Sequence, residues 1–101
     1  MIKGIIAGNF DVIHPGYVRF FCDAKENACD WLIIALQGDP TIERPHKAKP
    51  ILSVDEREEI LMALKAVDEV VHYNTEAELV GVLKEIRPTV RILGSDYQGK
   101  T

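Results

Sequence analysis

Four short apolar runs, separated by stretches with helical spacing, constrain this chain more than any other feature. Ile2 to Ala7 is rich in isoleucine and closes at Gly8-Asn9, as suits a central strand buried on both faces. Trp31 to Leu36 (WLIIAL) is again continuously apolar and closes on the turn formers Gln37-Gly38-Asp39-Pro40. Asp68 to Tyr73 and Val90 to Leu93 carry the third and fourth strand signals. Alternation of strand and helix from end to end is the pattern of right-handed crossovers building a parallel sheet, an α/β fold.

The intervening stretches predict three helices. Pro15 suits a first helical turn, and Tyr17, Phe20, Phe21, Ala24 and Ala28 then form one apolar stripe ending near Asn27 to Cys29. Ser53 to Glu56 (SVDE) is a capping box ahead of Ile60, Leu61, Leu64 and Val67. Thr75 to Glu78 (TEAE) is another, ahead of Leu79, Leu83 and Ile86, with Pro88 beyond the end of that helix. Thr41 to Leu52 (TIERPHKAKPIL) has no periodicity and contains two prolines, so it reads as a loop. A loop this long in a small domain is usually functional.

With 101 residues, 47% of them hydrophobic, the chain suffices for one domain spanning residues 1–101 and one core. A formal net charge of −4 argues against nucleic acid or an anionic membrane as partner, because those are held by clustered Lys and Arg. Cys22 and Cys29 have no second pair to complete a zinc-type spacing, and read as small packed hydrophobes in a reducing cytosol. No stretch approaches the about 18 apolar residues of a membrane span, and Met1-Ile2-Lys3 runs straight into a strand. The expectation is a cytoplasmic, soluble protein.

Ligands of such sheets sit beyond the carboxyl ends of the strands, where strand order switches. Three of the four ends carry Gly with Asn or Asp: Gly8-Asn9, Gly38-Asp39 and Gly94-Ser95-Asp96. The first turn is not G-x-G-x-x-G, so a dinucleotide fingerprint is absent. Instead Gly8 to Tyr17 (GNFDVIHPGY) resembles the G-x-F-D-x-x-H-x-G-H signature of the cytidylyltransferase branch of the nucleotidyltransferase superfamily. The resemblance continues through the Gly38-Asp39 turn, Lys47 and Lys49, Glu56-Arg57, Ala66 to Val70 (AVDEV) and Gly94 to Tyr97 (GSDY). It is strongest to the glycerol-3-phosphate cytidylyltransferases.

The resemblance implies a Rossmann-like three-layer sandwich with a parallel sheet, of the nucleotidyltransferase, adenine nucleotide alpha hydrolase-like kind. It implies transfer of CMP from CTP, carried with Mg²⁺, to a small phosphorylated alcohol such as glycerol 3-phosphate, with release of pyrophosphate. A homodimer is implied as well. The alternatives are an ADP-heptose-type adenylyltransferase using ATP and a sugar phosphate, and a catalytically impaired nucleotide-binding module.

By the same resemblance His14, Lys49 and Asp11 are catalytic, and Gly8, Asn9, Phe10, Gly16, Tyr17, Lys47, Arg57, Gly94 and Asp96 join them in binding nucleotide. Asp39 and Asp68 are expected at the acceptor, and no side chains are assigned to a resident metal. Physically, Gly8 lets the backbone turn off a buried strand, and Gly16 lets a triphosphate approach a helix start whose free N–H groups attract anions. His14 as imidazolium would follow negative charge onto the departing pyrophosphate.

Blander roles compete at each position. His14 can cap the helix while Asp11 accepts N–H groups within the turn; Lys47 and Lys49, with Arg44 and His46, can be a solvated charge run. Arg57 can be a surface ion pair and Asp96 an Asx-turn, while His72 and Trp31 read as packing residues. Two departures from the pattern stand out. Tyr17 replaces the signature's second histidine with a phenol that carries no positive charge near neutral pH. The family continues beyond the position of Thr101 through a further strand and a Ser/Thr-rich segment.

Overall fold

In the computed structural model, which describes residues 1–42, 45–46 and 49–93, the elements alternate as the sequence predicts. They are β1 (Lys3–Gly8), α1 (Pro15–Asn27), β2 (Trp31–Gln37), α2 (Val54–Met62), β3 (Glu69–Tyr73), α3 (Glu76–Ile86) and β4 (Val90–Arg91). All the pairings are parallel, in the order β3-β2-β1-β4, with Ile5 opposite Ile33 and Ile34 opposite Val70. The chain therefore builds outward from β1 through β2 to β3, then returns to the other side of β1. That reversal places the topological switch at the end of β1.

Side-chain alternation along the strands divides the core in two. Ile6, Leu32, Ile34 and Leu36 pack with Phe20, Phe21 and Ala24 of α1 and Leu61 of α2. Ile5, Ile33 and Ala35 point the other way and pack with Leu79, Val82, Leu83 and Ile86 of α3. Helices thus cover both faces of the sheet, giving the three-layer α/β sandwich that continuous apolar strands require.

Several details differ from the sequence reading. Helix α2 ends at Met62, and Ile60 is 38% exposed; Leu64 and Val67 reach the core from the turn that follows. The capping box at Ser53 forms in full, whereas at Thr75 only half of it does. Thr75 Oγ1 accepts from the Glu78 amide, but the Glu78 carboxylate accepts from Asn74 N–H, one residue earlier than a reciprocal box requires. His72 is exposed and pairs with Glu58 rather than packing inside, because β3 lies at the edge of the sheet. Cys29 is buried as expected, but Cys22 is exposed on α1. Trp31 packs against the core, and its indole N–H donates to Glu69 Oε1 at 3.0 Å. No helix among the described residues is long and apolar enough to cross a membrane.

Phe21 is the fully buried centre of the α1 face, in edge-on contact with the ring of Phe10 at 5.5 Å. Phe21→Ala should destabilise the protein by about 3–5 kcal/mol, the range for deleting a buried ring. The shift in the urea unfolding midpoint at constant slope measures it.

Candidate functional site

The switch at the end of β1 is built on a strained residue. Phe10 adopts φ 43°, a left-handed conformation that costs a bulky residue about 1–3 kcal/mol. Its ring is buried edge-on against Tyr17 and Phe21, each centroid 5.5 Å away, and this packing offsets the strain. Gly8 does not supply the sharp bend expected of it; its backbone φ is not positive. It is needed because a Cβ there would lie 2.9 Å from Cζ of Phe10.

Beyond that bend His14 is the N-cap of α1, with extended backbone and Nδ1 accepting from Gly16 N–H at 3.0 Å. The bond requires a bare Nδ1, so the ring proton sits on Nε2. In this arrangement Nδ1 is spent on the helix cap, which leaves Nε2 as the ring nitrogen that faces outward from the turn. Nε2 makes no bond among the described residues and remains a donor at the helix start. Gly16 has a nearer reason than room for phosphate: a Cβ there would lie 2.7 Å from the imidazole Cε1. Tyr17 lays its ring against that of His14, centroids 4.4 Å apart, and joins the α1 core cluster.

Asp11 does not serve its own turn. Its two carboxylate oxygens accept from Ile51 N–H at 2.7 Å and Leu52 N–H at 2.9 Å, forty residues away. Those amides, Leu52 first, hold the carboxyl below its ordinary pKa of 3.8. Arg57 grips the same segment from the other side. Only 2% exposed, it donates from Nε to the carbonyls of Leu52 (3.2 Å) and Ser53 (3.3 Å). From Nη1 it donates to Asn9 (2.9 Å) and Gln37 (2.6 Å), and from Nη2 to Gly38 (2.6 Å). Arg57 is therefore neither a surface ion pair nor a side chain open to a nucleotide: backbone oxygens occupy its fork. Burial pushes its pKa down, while the charges of Asp11 and Asp39 push it back up.

The end of β2 contributes a second centre. Asp39 closes an Asx-turn by accepting from the Thr41 hydroxyl at 2.5 Å and the Thr41 amide at 2.9 Å. These bonds, and then the charge of Lys49, lower its pKa. Its own N–H donates to Asn74 Oδ1 at 3.1 Å. A cavity of about 360 Å³ is lined by Gly38, Asp39, Lys49, Leu52, Ser53 and Asn74 among others, so Asp39 and Lys49 do meet in one place.

Asp68 is nowhere near them. It accepts from Leu32 N–H at 2.8 Å, at the start of β2, and pairs with Lys25 near the end of α1. In a parallel sheet that is the opposite end from the ligand side, which corrects its assignment to the acceptor. Lys47, Gly94 and Asp96, with Arg44, lie outside the described residues. Sequence reasoning missed Asn74, whose only signal is an Asn directly after a strand and before a cap.

Among the described residues no three His, Cys, Asp or Glu side chains converge as a metal site would require.

Two stability tests follow from these bonds. Arg57→Ala removes the side-chain donor from the carbonyls of Asn9, Gln37, Gly38 and Leu52, while the Ser53 carbonyl keeps the residue 57 amide, and each buried group so orphaned costs about 1–3 kcal/mol. Out of a typical total of about 5–15 kcal/mol, the variant should be close to unfolding, and Arg57→Lys should recover less than half, because an ammonium cannot span the three segments. Denaturation midpoints decide this. For Asp39, a folded pKa below 3.8 means that its contribution is complete above about pH 4 and fades as pH falls through the folded value. The gap in urea midpoint between the protein and Asp39→Asn should therefore close on acidification below about pH 4.

Comparison with known proteins agrees with this architecture. The family model described as "Cytidylyltransferase-like" matches residues 5–100. An FAD synthase of Ferroglobus placidus is 36% identical over 96 residues, covering 95% of this chain and 60% of that protein. The bifunctional protein HldE of Rhodopseudomonas palustris is 37% identical over 95 residues, which are 93% of this chain and 19% of its own length. The chain thus spans less than two thirds of the FAD synthase and about a fifth of the HldE protein. Among solved structures, a lipopolysaccharide core biosynthesis protein from Thermoplasma volcanium superposes with a TM-score of 0.77 at 25% identity, covering 90% of this chain and 72% of that one.

Proposed function

This chain belongs to the cytidylyltransferase-like family, and we propose that it transfers a nucleoside monophosphate from a triphosphate to a small phosphorylated acceptor, releasing pyrophosphate. The observation that carries the proposal is the division of labour in His14. Nδ1 holds the cap of α1, and Nε2–H is left as a donor at a helix start that already attracts anions.

In this reading a phosphate oxygen of the acceptor attacks the α-phosphorus in line. The bond from that phosphorus to the bridging oxygen breaks, and the electron pair leaves with pyrophosphate. His14 Nε2–H and the ammonium of Lys49 stabilise charge developing on the leaving group, while helix and loop orient the triphosphate. No covalent intermediate with the protein is needed. Mg²⁺ enters on the nucleotide, the protein works as a homodimer in the cytoplasm, and Lys47, Gly94 and Asp96 complete the nucleotide contacts.

CTP with glycerol 3-phosphate is the donor and acceptor pair implied by the opening signature. ATP is a second reading, favoured by a specific observation: the similarity to FAD synthases, whose named product carries an adenylyl group joined to a phosphate. On that reading the acceptor is another phosphate monoester, a sugar phosphate included. Competition between labelled CTP and labelled ATP, with pyrophosphate release as readout, separates the two. Binding without release with any acceptor would leave the non-catalytic module.

His14→Asn tests the role of Nε2 cleanly, because asparagine is as good an N-cap but has no donor in that position. Pyrophosphate release should fall by about 10²–10³-fold, the range for losing one preorganised donor, with thermal stability nearly unchanged. Undiminished turnover in that variant would remove His14 from the chemistry.

A further inference from the structure

We propose that Asp11 is a positioning residue, whose carboxylate staples the lysine-bearing segment to the end of β1 and holds Lys49 at the cavity before a triphosphate arrives. The inference rests on the nucleotidyl-transfer reading and assigns Asp11 a different task from the catalytic contact that its place in the signature implies.

The segment from Lys49 to Leu52 has little else to hold it. Ile51 is 83% exposed, so apolar burial does not fix this stretch. Pro50 has no N–H to offer. The two amides that follow, Ile51 and Leu52, both go to Asp11, one to each oxygen, and the Leu52 carbonyl goes to Arg57 Nε. A peptide segment gripped through its N–H groups on one side and a carbonyl on the other has one position relative to the β1 turn.

That position is transmitted backward to Lys49. Proline fixes its own φ near −65°, and the residue before a proline is confined to extended backbone. From the anchored Ile51 amide, the path through Pro50 to Lys49 has few free torsions, so fixing one end limits where the ammonium can go. Lys49 lines the cavity with Asp39 and is close enough to lower the pKa of Asp39. Asp11 itself lies three residues before His14, so the same carboxylate ties the helix-start donor to the loop donor.

Asp11→Asn is nearly isosteric, but replaces one acceptor oxygen with an NH₂ that faces a backbone N–H. Three measurements on the whole chain test the staple: hydrogen exchange at the Ile51 and Leu52 amides, titration with CTP, ATP and inorganic triphosphate, and a double-mutant cycle with Lys49→Ala. Exchange at the two amides should accelerate while the β1 and β2 amides stay protected. The dissociation constant for the phosphate that binds should rise about tenfold, as the competent loop population falls. In the Lys49→Ala background the same substitution should have almost no further effect on binding, since Asp11 acts through Lys49. Effects that multiply in the double variant would mean a direct ligand contact and overturn the inference, as would unchanged exchange at both amides. If none of the three phosphates binds the unsubstituted protein, the nucleotidyl-transfer reading fails, and the exchange measurement still decides whether the staple exists.

Discussion

A single guanidinium joins the ends of the two central strands. Where parallel strands run out and their chains diverge, the last carbonyl oxygens lose their ladder partners, and burying them unpaired would be costly. Arg57 meets that demand for Asn9, Gln37 and Gly38 at once, and reaches the start of its own helix through Leu52 and Ser53. A lysine could not, because its ammonium has neither the span nor the planar fork. The buried charge is answered by Asp11 and Asp39, which flank it without forming a direct ion pair among the described residues. Burial of a cation at the carboxyl edge of the sheet and the presence there of two carboxylates that bind backbone amides are therefore one arrangement.

Around this centre the first turn can be irregular. Phe10 holds a conformation that a bulky residue avoids, and it does so because its ring completes the packing of Tyr17 and Phe21. Strain of this kind persists only where surrounding structure over-determines it. The result is a helix start held at a defined place over the end of β1. Placement of that start, rather than any mobile gate, is what a phosphate-binding mouth at a strand-order switch requires.

The order of elements was legible in the sequence because it depends on local periodicity: the Ser53 box, the isoleucine run of β1 and the α1 stripe all form where the pattern puts them. Partners across the fold were not legible. Arg57 sits among acidic residues in VDEREE, and on a helix that composition reads as a solvated face. Its burial depends on where β1 and β2 end, which no local window contains. Asp68 failed for a similar reason: the resemblance marks it as one of a set, but only the topology reveals that it lies at the amino ends of the strands. Asp11 was legible as important and illegible in kind, since its partners lie forty residues on, in a loop without periodicity.

His14 and Asp11 share a property that bears on how the opening signature should be understood. Each spends hydrogen-bonding capacity on the backbone: Nδ1 on the start of α1, and the carboxylate on the segment after Pro50. Gly8 and Gly16 are likewise explained by side chains of the same turn, the rings of Phe10 and His14, without a ligand. Most of the signature is thus a folding device: Pro15 has no N–H, those of Gly16, Tyr17 and Val18 are all bonded to His14, and what the turn leaves unspent is Nε2–H of His14 at the positive end of the α1 dipole. Tyr17 fits this division. Its ring supports His14 from 4.4 Å and extends the core cluster, so in this chain the position serves the packing of the turn. A site built this way keeps its shape when one ligand-facing donor is exchanged, because the groups that hold the shape and the groups that meet the ligand are different atoms, in His14 different nitrogens of one ring.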